Sequence, residues 1–272
     1  MDHLGTLNPN GNPNFMASNL ILRAADQNEV PATHVTHGSD RLVILSHGIT
    51  SNKDEGGIYT RFVDEFLSPG FDSIRFDFRG HGDSRMSSRD VTIAGEILDF
   101  MAVLQWARAQ KKYRQLYHVT ASFGCSITLL CAARFDLGCF ARVAFWNPVV
   151  DYDHTFIHST VPWGKTFFNQ ARTDELACRE GTPIPQTSFT IGPRMTMEML
   201  HLRPQETIWP KAVPLLVLHG DQDHLVPHAD AMDYCKRNKG VAFRTIAGAD
   251  HGFGAQIATV YEATRSWLLA PS

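Results

Sequence analysis

Cysteine is scarce, and what there is does not pair. The chain holds five, Cys125, Cys131, Cys139, Cys178 and Cys235, an odd number with no C-x-x-C spacing. That argues against a disulfide framework and against a zinc ribbon, and it fits reduced thiols in a cytoplasmic setting. No apolar run reaches the ~18–20 residues that span a bilayer. The opening residues, MDHLGTLNPNGNPNF, lack a basic start followed by an apolar stretch, so they do not read as a secretory signal. Charge of one sign does not accumulate either. Lys and Arg number 25 against 28 Asp and Glu, for a net charge of −3. A nucleic-acid surface needs clustered Lys and Arg, and the short cluster Lys236, Arg237, Lys239 reads as a solvated helix end.

What is present fits a soluble globular chain. Hydrophobic residues make up 43% and charged residues 19% of 272. That length supports a large core without a staple, and α/β domains commonly reach about this size as one unit.

Residues 1–14 are rich in Asn, Pro and Gly and read as a loose arm. Asn19–Ala24 and Val30–Thr36 have strand lengths around a polar turn, which predicts a hairpin at a sheet edge. Short apolar runs then alternate with helical stretches. The runs are Arg41–Ser46, Phe71–Phe76, Leu116–Ala121, Ala141–Trp146, Pro214–Leu218 and Ala242–Ile246. The helical stretches are Tyr59–Leu67, Val91–Ala109, Ser126–Phe135 and His228–Arg237. This is the pattern of βαβ units and a mostly parallel sheet flanked by helices. Such sheets bind ligands beyond the carboxyl ends of their strands.

From Asp151 to Ile208 the alternation fails. The stretch contains Phe156, Trp163, Phe167, Phe168, Phe189, Met195, Met197 and Met199, with Pro and Gly. Its position after a strand predicts an inserted lid. The expected organisation is a core in two parts, 1–150 and 209–272, with a lid at 151–208.

Three residues carry the chemistry. Thr120-Ala121-Ser122-Phe123-Gly124 lies between a strand and a helix, where a nucleophile elbow needs small residues around its serine. Thr120 stands where the usual G-x-S-x-G has its first Gly, while Gly124 is kept. Ser126, one helical turn further in, points into the packing. His219-Gly220-Asp221-Gln222-Asp223 follows the strand PLLVL, and by position either Asp221 or Asp223 can orient a histidine. Asp250-His251-Gly252-Phe253 follows AFRTI, and His251 can face the same edge. A serine hydroxyl needs a general base, and that base needs a carboxylate to hold its tautomer. The developing oxyanion needs backbone donors. The residue after the nucleophile, Phe123, supplies one, and the residue after His47-Gly48, Ile49, supplies the other.

With 13 histidines in the chain, a metal site has to be weighed. His154 and His158 have i, i+4 spacing, but no third ligand or intervening Glu accompanies them, so they read as lid surface or pocket residues. No cofactor and no metal is expected.

Taken together, HGITSNKDE (His47–Glu55), RFDFRGHGDS (Arg75–Ser84), TASFGC (Thr120–Cys125), HGDQDHLVP (His219–Pro227) and ADHGF (Ala249–Phe253) resemble the α/β-hydrolase superfamily, nearest its bacterial cinnamoyl (feruloyl) esterase-like branch. A less extensive resemblance, in FWNPVVDYDHTF, is to acyltransferase and thioesterase relatives. The resemblance spans residues 47–253 and implies the α/β-hydrolase fold. It implies Ser122 as nucleophile, His251 as base, Asp223 rather than Asp221 as acid, and Ile49 and Phe123 as oxyanion donors. It makes His81 and Asp83 structural. Thr-Ala replaces the usual Gly-His of the esterase elbow, and the lid matches no esterase lid, which bears on substrate rather than fold. The implied activity is cleavage of a carboxylic ester through an acyl-enzyme, with thioesterase or acyltransferase chemistry as the alternative and a non-catalytic ligand-binding protein as the remote one. The implied partner is a small acyl ester or thioester, with an acyl carrier as a further candidate. Arg172, Arg179, Arg194 and Arg203 are the residues that would mark a carrier or coenzyme A at the lid mouth.

Overall fold

The computed structural model describes residues 16–167 and 181–271. The arm 1–14, the side chain of Phe167, and Phe168, Arg172, Cys178 and Arg179 lie outside the described residues. An eight-stranded sheet runs in the order β1-β2-β4-β3-β5-β6-β9-β10. Its strands are β1 (Met16–Arg23), β2 (Glu29–Thr36), β3 (Arg41–Ser46), β4 (Asp72–Phe76), β5 (Gln115–Ala121), β6 (Phe140–Trp146), β9 (Leu215–Gly220) and β10 (Ala242–Ile246). The β1–β2 hairpin is antiparallel and β2 pairs antiparallel with β4, while every pair from β4 to β10 is parallel. The hairpin starts three residues earlier than its apolar pattern suggests, because Met16–Ser18 extend the ladder along an edge that faces solvent on one side.

The central strands read as unbroken apolar runs because both faces are covered. In β3, Leu42 and Ile44 enter one core while Val43 and Leu45 enter the other, as the two-residue period of a strand requires. The first core is closed by α2 (Ile93–Ala109) and α3 (Phe123–Ala132), the second by α1 (Ile58–Phe62) and α7 (Ile257–Leu269). The predicted helix 59–67 is two pieces: α1 passes into a single wide π-turn at Val63–Leu67. In the second core Trp146 packs against Tyr59, Phe62 and Tyr261 and donates its indole N–H to Thr264 Oγ1 at 2.9 Å. That bond satisfies the one polar atom an otherwise apolar side chain brings inside.

Between β6 and β9 the alternation breaks. This stretch holds a π-turn at Asp153–Ile157, α4 (Pro162–Phe167), a two-residue ladder of β7 (Thr182–Pro183) with β8 (Thr190–Ile191), and α5 (Pro193–His201). It is seated on the core by polar contacts. Thr190 N–H donates to Ser88 Oγ at 2.9 Å, and Glu198 of α5 accepts the N–H groups of Ile93 and Ala94. A carboxylate there meets the unpaired donors and positive end of α2. Met195 and Met199 are buried in the first core, and Met197 is exposed. The methionines therefore pack the stretch down rather than furnish a binding surface. α6 (His228–Arg237) matches the predicted helix, and its basic end is solvated, with Lys236 paired to Asp233.

The loop after β4 is fixed by an ion-pair cluster. Arg79, almost wholly buried, pairs with Asp99 of α2 at 2.7 Å and with Asp26 of the hairpin turn at 2.7 Å. Asn28 also donates to Asp99, at 3.0 Å. Replacing Asp99 by Leu leaves a guanidinium buried with half its partners and should destabilise the fold by about 3 kcal/mol or more. Breaking the exposed Arg61–Glu65 pair should cost under ~0.5 kcal/mol. Urea denaturation of both variants tests the contrast, and equal losses would remove Arg79 from this role.

Candidate active site

Ser122 sits at the junction of β5 and α3 with φ 51° and ψ −118°. This is a left-handed, strained conformation for a residue with a side chain. Its N–H donates to Trp146 O at 2.8 Å and its carbonyl accepts from Val149 N–H at 3.0 Å, so the end of β6 and the loop after it hold the turn. The turn closes only because its neighbours are small. A Cβ on Gly48 would lie 2.8 Å from Ser122 Cβ, and one on Gly124 would lie 2.6 Å from His47 O and from Thr120 Oγ1. Thr120 therefore fits where a glycine is usual: its hydroxyl takes the space beside Gly124 and accepts a hydrogen bond from Ser46 Oγ at 2.7 Å.

The predicted residues converge. His251 Nε2 lies 3.0 Å from Ser122 Oγ, and His251 Nδ1 lies 2.7 Å from Asp223 Oδ2. Asp221 is exposed and accepts Gly248 N–H at 2.7 Å, away from the imidazole. Ser126 is buried, donating to Phe123 O at 2.6 Å and accepting from Tyr152 OH at 2.7 Å. His81 is buried between the rings of His47 and Phe189, and Asp83 is an exposed partner of Lys53. His154 pairs with Asp230 and His158 with Asp153. Among the described residues no group of His, Cys, Asp and Glu has the arrangement of a metal site.

The charges follow from the partners. Burial raises the carboxyl pKa of Asp223, but hydrogen bonds from His219 and His251 outweigh it and hold the group below the usual carboxylate range. Its other oxygen accepts the N–H groups of Leu225 and Val226 at 2.8 and 2.9 Å. For His251 burial favours the neutral ring, but the hydrogen bond and charge of Asp223 win, and its pKa lies above the ordinary value of 6.5.

The Gly48–Ile49 peptide is oriented by a histidine. Burial pushes His47 down to about 4, so its ring is neutral near pH 7. Its Nε2 accepts Phe78 N–H at 3.0 Å, which leaves the proton on Nδ1, and Nδ1 donates to Gly48 O at 2.7 Å. In a trans peptide the C=O and N–H point to opposite sides. Drawing Gly48 O inward therefore turns the Ile49 N–H outward, and Ile49 shares the lining of one cavity with Ser122 and His251. Phe123 is the first residue of α3, where N–H groups have no helical acceptor. That cavity, about 370 Å³, is further walled by Phe156, Trp163, Ile184, Leu225 and Val226.

Two residues in this centre escape sequence reasoning. Asn147, buried and left-handed at φ 43°, accepts Gly220 N–H at 2.8 Å and donates to the carbonyls of Asp250 and His251. It ties the ends of β6 and β9 to the histidine loop. His219, fully buried, donates from Nε2 to the same Asp223 oxygen at 3.1 Å. The only sequence signal for either is its place just beyond or at the end of a strand.

A family model for the α/β hydrolase fold matches residues 41–192. The chain belongs to the α/β-hydrolase fold family. Among solved structures it is similar to Est1E from Butyrivibrio proteoclasticus with ferulic acid bound, at 20% identity and a TM-score of 0.76 over 92% of this chain and 98% of that one. It is also similar to a putative hydrolase from Agrobacterium vitis S4, at 19% identity and a TM-score of 0.74 over 93% and 99%. An esterase from Exiguobacterium antarcticum follows at 15% identity and a TM-score of 0.69 over 93% and 100%. At these identities the likeness is one of fold. No curated protein matches the chain. No helix among the described residues is long and apolar enough to cross a membrane.

Replacing Asn147 by Ala removes the acceptor of a buried N–H and two donors to the histidine loop. Stability should fall by about 1–3 kcal/mol, and the Ser122–His251 alignment should loosen. The readout is the rate at which a fluorophosphonate labels Ser122 in the folded variant, expected to drop at least tenfold. Unchanged labelling would make Asn147 a purely structural strut.

Proposed function

We propose that this α/β-hydrolase is a serine hydrolase that cleaves a carboxylic ester through a covalent acyl-enzyme. The observation that carries the reading is the relay from Ser122 Oγ through His251 to Asp223, at 3.0 and 2.7 Å, opening on an apolar cavity. His251 takes the Ser122 proton as the hydroxyl attacks the ester carbonyl, then gives it to the departing alkoxide. Asp223 holds the ring and stabilises its cationic form. The N–H groups of Ile49 and Phe123 receive the oxyanion, each worth roughly 10²–10³ in rate. Water then repeats the sequence on the acyl-enzyme. A protein that only bound ligands would have no use for a serine held in a strained backbone.

The cavity selects an uncharged acyl group. Its walls are mostly aromatic and aliphatic, with Thr50, Thr155, Gln186 and Thr187 as neutral polar groups, and no Lys or Arg among the described residues lines it. Arg194 and Arg203 are exposed and line no part of it. This favours a small-molecule ester over a thioester carried on coenzyme A or a carrier protein, although the acyl-enzyme chemistry is shared. The ferulic acid bound to Est1E supports an aryl-bearing acyl group as the first to try. Residues 151–208 act as the lid, since Phe156, Trp163 and Ile184 from this stretch form one wall. The cysteines among the described residues, Cys125, Cys131, Cys139 and Cys235, are free thiols, which suits the cytoplasmic setting proposed here.

The deciding experiment is intact-protein mass spectrometry after brief exposure to p-nitrophenyl esters and acyl thioesters, aryl and alkyl. An acyl adduct on the wild type and none on Ser122→Ala is the expected result, with esters reacting faster. Full turnover by Ser122→Ala would falsify the assignment. Asp223→Asn should lower kcat by about 10⁴, as loss of the correct tautomer does elsewhere, while Asp221→Asn stays within a few-fold. Comparable losses would move the acid role.

The pH dependence has a definite sign. The base must be neutral, and the His251 pKa lies above 6.5. kcat/KM should therefore fall as the pH drops, with a midpoint above 6.5, while the depressed Asp223 stays ionised throughout that range. A midpoint well below 6.5 in the measured profile would contradict the Asp223–His251 coupling.

A further inference from the structure

A second carboxylate stands beside the same centre, on the side away from the substrate cavity. Glu55 follows β3 on the loop that carries Gly48 and Ile49. Its Oε2 accepts Gly48 N–H at 2.8 Å. Its backbone is left-handed at φ 47°, and Gly56 and Gly57 after it are left-handed too, at 61° and 92°. A glutamate in that conformation is strained, and such strain persists where the surroundings impose it. The side chain lines a chamber of about 70 Å³, together with Ser122, Asn147, His251 and Gly252. Among the described residues, only Ser122 and His251 also line the substrate cavity. The chamber has room for water and polar groups to hold it.

We infer that Glu55 is a positioning residue of the Ser122–His251 centre, pinning the oxyanion loop through Gly48 and setting a second carboxyl group beside the imidazolium formed in the reaction. The inference rests on the serine-hydrolase reading above. Gly48 is thereby held from both of its peptides. Glu55 fixes its N–H while His47 fixes its carbonyl, so the Ile49 N–H that follows has one orientation. Preorganised donors act without reorganising at the moment of reaction.

The electrostatic half depends on what else faces these groups. Around His251 stand Asp223, Asp250 and the neutral, buried His219, besides Glu55. Around Glu55 stand His251, the Ser51 hydroxyl, the Gly48 N–H, and the uncharged Tyr59 and Cys125. Withdrawal from water raises the Glu55 carboxyl above its usual range, and the hydrogen bonds from Gly48 and Ser51 and the charge of His251 offset only part of that rise. Glu55 in turn raises the His251 pKa, after the larger contribution of Asp223.

The test is a pair of variants, Glu55→Gln and Glu55→Ala, assayed on whichever p-nitrophenyl ester the wild type turns over. Glu55→Gln keeps an acceptor for Gly48 N–H and loses the charge. Its kcat should fall about tenfold, and the acid limb of kcat/KM should move to lower pH, because the imidazole loses a neighbour that favoured its proton. Glu55→Ala loses the anchor as well. Its kcat should fall a further tenfold or more with KM little changed, since an oxyanion donor serves the transition state rather than the bound ester. Fluorophosphonate labelling of Ser122 against pH repeats the measurement without substrate, and circular dichroism checks that both variants fold. A Glu55→Gln enzyme with wild-type kcat and an unmoved acid limb would overturn the inference. So would losses in KM alone. If Ser122→Ala is inactive while Glu55→Gln behaves as wild type, only the role of Glu55 fails. If Ser122→Ala is active, the hydrolase reading fails first.

Discussion

The centre depends on how closely the end of β3 approaches the end of β5. Ser122 can project its hydroxyl over the sheet edge only if the loop after Ser46 passes within contact distance, and that loop can pass only because position 48 has no side chain. The contact brings the Gly48–Ile49 backbone, the Ser122 hydroxyl and the start of α3 into one small volume. Interiors are packed too densely for such an approach to be loosened and recovered elsewhere. The Thr120–Ser46 hydroxyl pair belongs to the same arrangement, closing the polar atoms of the elbow on one another below the serine.

On this frame the electrostatics are arranged by saturation. Asp223 receives two backbone N–H groups on one oxygen and two imidazole N–H groups on the other. A carboxylate with its lone pairs so occupied has one charge state and one orientation. His219 is neutral because burial disfavours its cation, so it lends a dipole without a competing positive charge. His47, also neutral, orients the Gly48 carbonyl. Of the imidazoles around Ser122, His251 has its pKa raised by Asp223 against the effect of burial, while burial keeps His47, His81 and His219 uncharged.

The centre of the sheet was legible because its strands are buried on both faces, and RLVILS keeps its predicted limits in β3. The partly exposed edge run AFRTI keeps its own in β10. The meeting of Ser122 and His251 with an acid after β9 was readable from order and position at strand ends, and the choice of Asp223 over Asp221 came from the family resemblance. Asn147, His219 and Glu55 were not readable. Asn147 and Glu55 act through hydrogen bonds to backbone, and His219 through one to a carboxylate four residues on, and none of these leaves a periodicity behind. The methionines of 151–208 show a related limit: composition alone does not say which side of a segment faces the core. Met195 and Met199 face inward, and the cavity wall falls to Phe156, Trp163 and Ile184 instead.

The seat of Glu198 on the first turn of α2 makes the inserted stretch part of a core helix. Exchanging residues 151–208 for a relative's insertion is therefore not a modular graft. An incoming segment without an acid at the matching place would uncover the N–H groups of Ile93 and Ala94 and fray the helix that carries Asp99, the partner of Arg79. Chimeras that change acyl preference need to carry this foothold with them, and so the specificity of the enzyme and the stability of its scaffold are inherited together.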